Sequence, residues 1–577
     1  MRELMSPRLA TGLLWLTTAL MSTTVFAETP SLDDAVEAPV RACRASDTLR
    51  VPLGRSGVDL VPLFANGYAL TTQDNSHFDR EGLEVEFVAG QDLPAQVESF
   101  LRCETPILRA TQGQLQLVAE LTAQVPGSDM VAIYHHGWSS GADHLVARDG
   151  LVTPEDLSGK RIAIGAFSPQ LDLLAHLEDS AQRQGLRDDA ADWVSPELVF
   201  SEHAHGLYDD SPGARFFDDE RIDAALMGWD DALVLTSGGE RGTGAEGSVA
   251  GAHIPLSTRS ASRVVSHAYV VRRDYLEANR DQVERFIAAL FGAEEVVRER
   301  VATGVVDWDA VAEHVLGDAA ETASAETLWS HVETVGLQGN VNWANPDHPR
   351  SFASINRELG RGLQSLGLIS QPWSLEVAAL DYGSIAEGIF DQRRVALPDF
   401  DQEEAARVID QSRADGNLDE RTVTRFTITF DPNQTGFPAA QYADDFDEVI
   451  GAATRYGGAV FTVEGHADPL KYLQRRHEGA GEEELRAIRQ STENLSLSRA
   501  REVRESLVAY ADREGVMLDE SQFVTEGRGL HEPATGLCDG DPCPPQTEAE
   551  WRSNMRVVVR AVRMEAESSA FSPPHEW

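Results

Sequence analysis

The chain has 577 residues, more than one hydrophobic core serves and enough for two or three domains of about 150 residues each. At 42% hydrophobic and 25% charged residues it reads as globular, which excludes a membrane bundle and a wholly disordered chain. A formal net charge of -45 argues against a nucleic-acid partner, because a phosphate backbone would be repelled.

Residues 1–27 read as an export signal. Arg2 and Arg8 give a basic start, Leu9 to Met21 is a short apolar run, and Val25-Phe26-Ala27 offers the small-x-small pattern of a cleavage site. The run is too short for the ~20 residues of a membrane span, and no cysteine follows it directly, so cleavage after Ala27 is expected rather than a retained or lipid anchor. The expected location is the periplasm, in association with the cell wall or outer membrane.

After an acidic stretch, Glu28 to Ala42, the pattern changes to short apolar runs alternating with amphipathic segments. Leu49 to Leu53 and Leu83 to Val88 read as strands, and Leu93 to Leu101 as a helix. Met130 to Tyr134 and Arg161 to Gly165 are continuous apolar strands of the kind buried in parallel sheets. A helix is expected from Gln170 to Arg183. Strands alternating with helices predict an α/β fold.

Three stretches in this part carry a resemblance: His77 to Val85, Val152 to Ala163, and His267 to Leu276. On them, residues 45–385 resemble periplasmic substrate-binding proteins of the nitrate, sulfonate and taurine type, which serve ABC transporters. The resemblance implies two α/β lobes joined by crossing segments, placed near His135 to Leu151 and near Ser257 to His267. Ligands in that architecture bind between the lobes, at strand ends and helix N-termini. Gly165-Ala-Phe-Ser168 before its helix would aim N–H groups and the Ser168 hydroxyl into the cleft, which suits an anionic solute. Gly228-Trp229-Asp230 would supply a stacking surface and an acceptor. Ser56, Tyr134 and His135 are further candidates. Ser168 as a plain helix cap and Trp229 as plain core are the competing readings.

Residues 386–423 read as a linker, acidic from Asp399 to Glu420 and holding one short helix. Residues 424–563 read as an α+β domain, with strands at Thr424 to Phe430, Ala459 to Glu464 and Met555 to Val562. Helices are expected at Ala443 to Tyr456 and at Asn494 to Ala511. The tail, 564–577, holds Ser-Ser, Pro-Pro and acids and is expected to be disordered.

Four cysteines suit an oxidising compartment. Cys538 and Cys543 flank the turn-forming Asp-Gly-Asp-Pro and are expected to bridge. Cys43 and Cys103 remain as a second possible pair. A metal site is the competing reading, but no histidine stands at ligand spacing near Cys538.

Phe461-Thr-Val-Glu-Gly-His-Ala-Asp468, Leu495-Ser-Leu-Ser-Arg-Ala500, the Gly527-Arg-Gly529 turn with Pro533, and Asn554-Met-Arg-Val557 together resemble the OmpA-like peptidoglycan-binding family. The resemblance implies that Asp468 and Arg499 hold the diaminopimelate of the peptidoglycan stem peptide, with Arg556 in support. The chemistry fits: a carboxylate accepts from the ligand's ammonium while a guanidinium presents a two-pronged fork to its carboxylate. Arg499 is expected in the first turn of its helix.

This sequence departs from the family in two ways. Asp468 and Arg499 stand 31 residues apart, roughly twice the family's spacing, with a charged excess from Leu473 to Arg489 that is expected to form a helical insertion near the pocket. Thr492 and Met555 replace the family's asparagine and arginine.

No Gly-x-Ser-x-Gly elbow, Walker loop or zincin motif is present, so no enzyme, cofactor or metal is expected. The reading is therefore a solute-binding protein tethered to peptidoglycan and serving an ABC-type importer. The alternative is a structural envelope protein whose substrate-binding fold contacts a protein partner.

Overall fold

The computed structural model describes residues 29–563, apart from internal segments of which 389–401 is the longest. The expected signal peptide, 1–27, and the expected tail, 564–577, lie outside the described residues. The chain first lays down β1 (Thr48–Leu53), β2 (Glu84–Ala89), β3 (Ile107–Thr111) and β4 (Met130–Ser139). It then crosses to build β5 (Asp143–Ala147), β6 (Arg161–Gly165), β7 (Glu197–Ser201), β8 (Ala224–Gly228) and β9 (His253–Ser257). It returns through β10 (Ser266–Arg272), β11 (Val332–Thr334) and β12 (Glu376–Val377).

The first and last of these sets form one sheet, ordered β11-β4-β10-β3, with β12 beside β4 and the parallel β1-β2 pair against β3. The middle set forms a second sheet, ordered β7-β6-β8-β5-β9. Two α/β lobes result. Their crossing segments, 140–142 and 258–265, fall inside the two stretches read from the sequence. β6 shows why its run is continuously apolar: it has parallel neighbours on both sides and is covered on both faces.

Three helices knit the lobes together. α1 (Gln112–Thr122) follows β3 in the first lobe, and α2 (Leu171–Asp188) follows β6 in the second. α3 (Phe352–Ser365) packs along both of them. Leu115 of α1, Leu173 and Leu174 of α2, and Ile355 and Leu359 of α3 belong to one continuous buried core.

Beyond the lobes come α4 (Gln402–Ala414), β13 (Thr422–Thr429), α5 (Ala443–Arg455), β14 (Ala459–His466), α6 (Leu470–His477), α7 (Glu482–Arg513) and β15 (Phe523–Gly529). A small hairpin, β16 (Leu537–Cys538) and β17 (Asp541–Pro542), precedes α8 (Glu548–Ser553) and β18 (Arg556–Arg563). The sheet order is β13-β18-β14-β15, with β14 and β15 parallel and the other pairs antiparallel. Phe446 and Val449 of α5 and Val503 and Leu507 of α7 cover one face of this sheet. Both cysteine pairs, Cys43–Cys103 and Cys538–Cys543, are bonded.

Three sequence expectations need correction here. The region read as a linker contains α4, which is docked on the second face of the sheet. Its Ile409 packs with Val460, Val524 and Val562, and its Arg413 pairs with Glu464. An apolar face of a sheet needs a cover, and this helix supplies it.

The helix expected from Asn494 begins instead at Glu482, so Arg499 lies in mid-helix. Nothing between 482 and 494 breaks a helix, three glutamates favour its N-terminus, and Leu485 and Ile488 pack with Tyr472, Ala467 and Leu530. The charged excess is thus a helical hairpin made of α6 and the start of α7. Finally, Gly527 to Gly529 end strand β15 rather than form a turn. Glycine is required at Gly527 because a Cβ there would stand 2.6 Å from the Glu493 carbonyl of α7.

Candidate functional site

The C-terminal candidate residues gather where β14 ends and α7 passes over the sheet. Arg499 is 1% exposed. Its Nε donates to the Gln434 carbonyl at 2.8 Å, Nη2 to Asp431 O at 3.2 Å and Nη1 to His466 O at 3.3 Å. The Phe430 ring lies 5.1 Å from the guanidinium carbon. Among the described residues no carboxylate pairs with it, and burial alone pushes its pKa down to about 10. A buried guanidinium normally has an anionic partner, because an uncompensated charge is costly in low dielectric.

Asp468 follows β14. Its Oδ2 accepts from Leu470 N at 3.1 Å, while Oδ1 is buried with no hydrogen-bond partner. Burial raises its pKa, opposed by the Leu470 N–H and by the nearby Trp551 and Asn554 side chains. Those two side chains approach without completing a bond to Oδ1. Asp468 and Arg499 do not pair with each other. Each therefore presents unused capacity, one as acceptor and the other as donor of charge.

Arg556 is half-buried and donates to the Glu532 and Ser553 carbonyls at 3.1 and 3.4 Å. Burial lowers its pKa. Thr492 turns its hydroxyl back onto the Ile488 and Arg489 carbonyls of its own helix, so it replaces no asparagine contact to the pocket. His466 is buried, its pKa pushed down to about 3 by burial, and is neutral at physiological pH.

The interlobe site differs from the expectation. Tyr134 and His135 are both committed to packing inside the first lobe. Tyr134 donates to Glu294 Oε2 at 3.1 Å, and His135 stacks on Trp343 at 5.1 Å with Nε2 3.1 Å from Ser266 Oγ. Ser56 uses its N–H on Asp59 Oδ2 at 3.1 Å. Trp229 is half-buried with its ring edge-on to His331 at 5.2 Å, and Asp230 is exposed beside it.

The Gly165 to Ser168 loop uses two of its N–H groups within the fold and leaves one hydroxyl unused. Ala166 N donates to Ser201 O, Ser168 N to Gly165 O, and the Ser168 hydroxyl is buried without a partner. Ser168 does not cap α2, which starts at Leu171.

The lobes meet instead at residues the sequence reading did not single out. At the start of α1, Thr111 and Gln114 form a capping box: Thr111 Oγ1 accepts from Gln114 N, and Gln114 Oε1 accepts from Thr111 N at 2.8 Å. The Thr111 hydroxyl donates to Asp172 Oδ1 of the second lobe at 2.7 Å, and Gly113 N donates to both Asp172 oxygens at 3.1 Å. Gln114 Nε2 reaches the Phe167 carbonyl at 2.7 Å. Gly113 permits this approach, since a Cβ on it would stand 2.2 Å from Asp172 Oδ1. The Thr-x-x-Gln spacing was a readable signal for the cap, but nothing local announced Asp172 as its partner.

No protein-family model matches the chain, and no curated protein matches it. Among the described residues no helix is long and apolar enough to cross a membrane. The structure is similar to the periplasmic aliphatic sulphonate binding protein SsuA from Escherichia coli, with 14% identity over 61% of this chain and 97% of that one and a TM-score of 0.39. It is also similar to the alkanesulfonate-binding protein SsuA from Xanthomonas axonopodis pv. citri, at 18% identity over 57% and 96% with a TM-score of 0.36. A third similar structure is the desulfurization enzyme DSZB, at 14% identity over 59% and 99% with a TM-score of 0.36.

Proposed function

We propose that this chain is an exported envelope protein that grips the diaminopimelate stem peptide of peptidoglycan with its C-terminal domain and carries a solute-binding module in its two N-terminal lobes, serving an ABC-type importer. The carrying observation is Arg499, a buried guanidinium with no carboxylate partner among the described residues that bonds the His466 carbonyl, together with Asp468 two residues further on, which has one buried oxygen unpartnered. A ligand with an ammonium and a carboxylate on one carbon would complete both. The strand order β13-β18-β14-β15 and the motif residues that bring Asp468 and Arg499 to one end of it support the OmpA-like reading.

Sedimentation of the full chain with purified diaminopimelate-containing sacculi tests this. Asp468→Asn and Arg499→Lys should each lose roughly 30-fold or more in affinity, corresponding to the ~2–5 kcal/mol of a truncated, desolvated charge contact. Circular dichroism should show both variants folded. Wild-type protein that stays in the supernatant, or variants that sediment as it does, would refute the reading. The second reading, a protein-interaction module in place of a solute receptor, is favoured by one observation: the lobes are bonded to each other through Asp172.

A further inference from the structure

We propose that Asp172 is a built-in ligand of the cleft: from the second lobe its carboxyl group fills the oxyanion seat made by the Thr111 hydroxyl and the Gly113 N–H at the start of α1, latching the lobes and shutting external oxyanions out. The latch stands on geometry alone, whereas its consequence for solute choice rests on the solute-receptor reading.

A helix N-terminus offers free N–H donors and partial positive charge, and this one is capped by a hydroxyl that accepts from Gln114 N while donating outward. The Thr111 hydroxyl and the Gly113 N–H are both directed at Asp172, which is fully buried. A carboxyl group delivered by the chain itself needs no translational entropy to bind, so a free anion competes against a high effective concentration.

The rest of the interface keeps that group in place. Across α3, Gln116 bonds Asn356 at 2.6 Å from the first lobe, while Arg361 holds Asp179 at 2.7 Å in the second. Beside it, the Asp143 carboxylate of the second lobe accepts from Gln170 Nε2 of its own lobe and from the Ser139 hydroxyl at the end of β4 in the first.

The test uses the full chain and two readouts, the thermal unfolding midpoint and the radius from small-angle scattering. Asp172→Ala empties the seat. It should melt below wild type, expand, and recover both properties with sodium formate but not with equal sodium chloride, while wild type ignores formate and sulfate alike. Asp172→Ala that melts as wild type, or that is destabilised without any formate-specific recovery, overturns the proposal. Should Asp172→Ala fail to fold, wild type decides: a formate- or sulfate-specific rise in its midpoint means the seat is open to external anions and the proposal is wrong, and no rise upholds it. Sacculus binding by the Asp468 and Arg499 variants tests the wall-binding reading, whereas the midpoint and radius of the Asp172 variant test the latch, so the two failures are separable.

Discussion

Adding a single methyl group at Gly113 sets two effects of opposite sign against each other. Gly113 is the second residue of α1, where helix propensity alone makes Gly113→Ala stabilising by up to about 1 kcal/mol. The new Cβ would stand 2.2 Å from Asp172 Oδ1, well inside contact distance, and α1 cannot recede because its Leu115 and Leu117 are embedded in the shared core. Asp172 must therefore withdraw. Losing the Thr111 and Gly113 bonds costs about 1 kcal/mol each, and wedging a methyl into a filled interface costs at least about 1 kcal/mol more. The net expectation is destabilisation by about 2 kcal/mol, a fall of roughly 3–5 °C in the melting midpoint for a domain of this size. Hydrogen exchange should accelerate at the start of both α1 and α2, although only α1 is altered. A variant that melts at or above wild type would mean that the interlobe contact contributes nothing and that propensity governs.

The latch should also respond to pH. Burial and the Asp143 carboxylate push Asp172 up to about 8, against the pull of Thr111 and Gly113. The folded state thus holds a proton that the unfolded state releases near pH 4, so this stabilisation is present below about pH 4 and is lost as pH rises through about 8. Asp172→Asn, which mimics the protonated acid, should melt near wild type at low pH and flatten the decline toward pH 9; an unchanged pH profile would count against the assignment. The disulfides should differ in weight. Cys43–Cys103 spans 60 residues and Cys538–Cys543 only 5, so loop entropy assigns them about 4 and about 2 kcal/mol. Double replacement by alanine at the first pair should lower the denaturation midpoint more than at the second, and the reverse order would refute that estimate.

Much of the fold was legible because its signals are local. Leu93 to Leu101 begins after an Asp92 side chain that caps it and has a proline in its first turn, and the structure ends it at the residue expected. β6 was equally plain, since a five-residue apolar run with parallel neighbours has one solution. α7 is longer than expected because the charged insertion reads as a helix separate from the one at Asn494, whereas the two run on as one from Glu482, with Leu485 and Ile488 packed against Tyr472. The C-terminal sheet was legible from its strands, since Thr424 to Phe430, Ala459 to Glu464 and Met555 to Val562 all lie in it within a residue or two of the expected bounds. The cleft was not, because the Thr111–Asp172 bond joins residues 61 apart in sequence, and an aspartate among leucines gives no hint of where its oxygens go.

The helix that carries the latch also carries the dock. One turn after Asp172, α2 presents His176, which is fully buried and bonds Glu358 Oε1 of α3 at 2.7 Å and Tyr456 Oη of the C-terminal domain at 3.0 Å. Arg350 holds the other oxygen of Glu358 at 2.9 Å. The returning crossing segment is tied to the same domain, since Arg263 N donates to the Arg455 carbonyl at 3.0 Å. Tyr456 ends α5 and leads into β14, the strand that delivers Asp468. Hinge opening of the lobes would rotate α2 and strain the crossing segment, and both are pinned to the domain that holds Arg499. Any ligand that favours the opened lobes must then loosen this dock, and by linkage anything that tightens the dock disfavours opening by the same free energy. The interlobe contact and the C-terminal domain are thus joined through one helix, which bonds Thr111 and Gly113 at Asp172 and Tyr456 at His176.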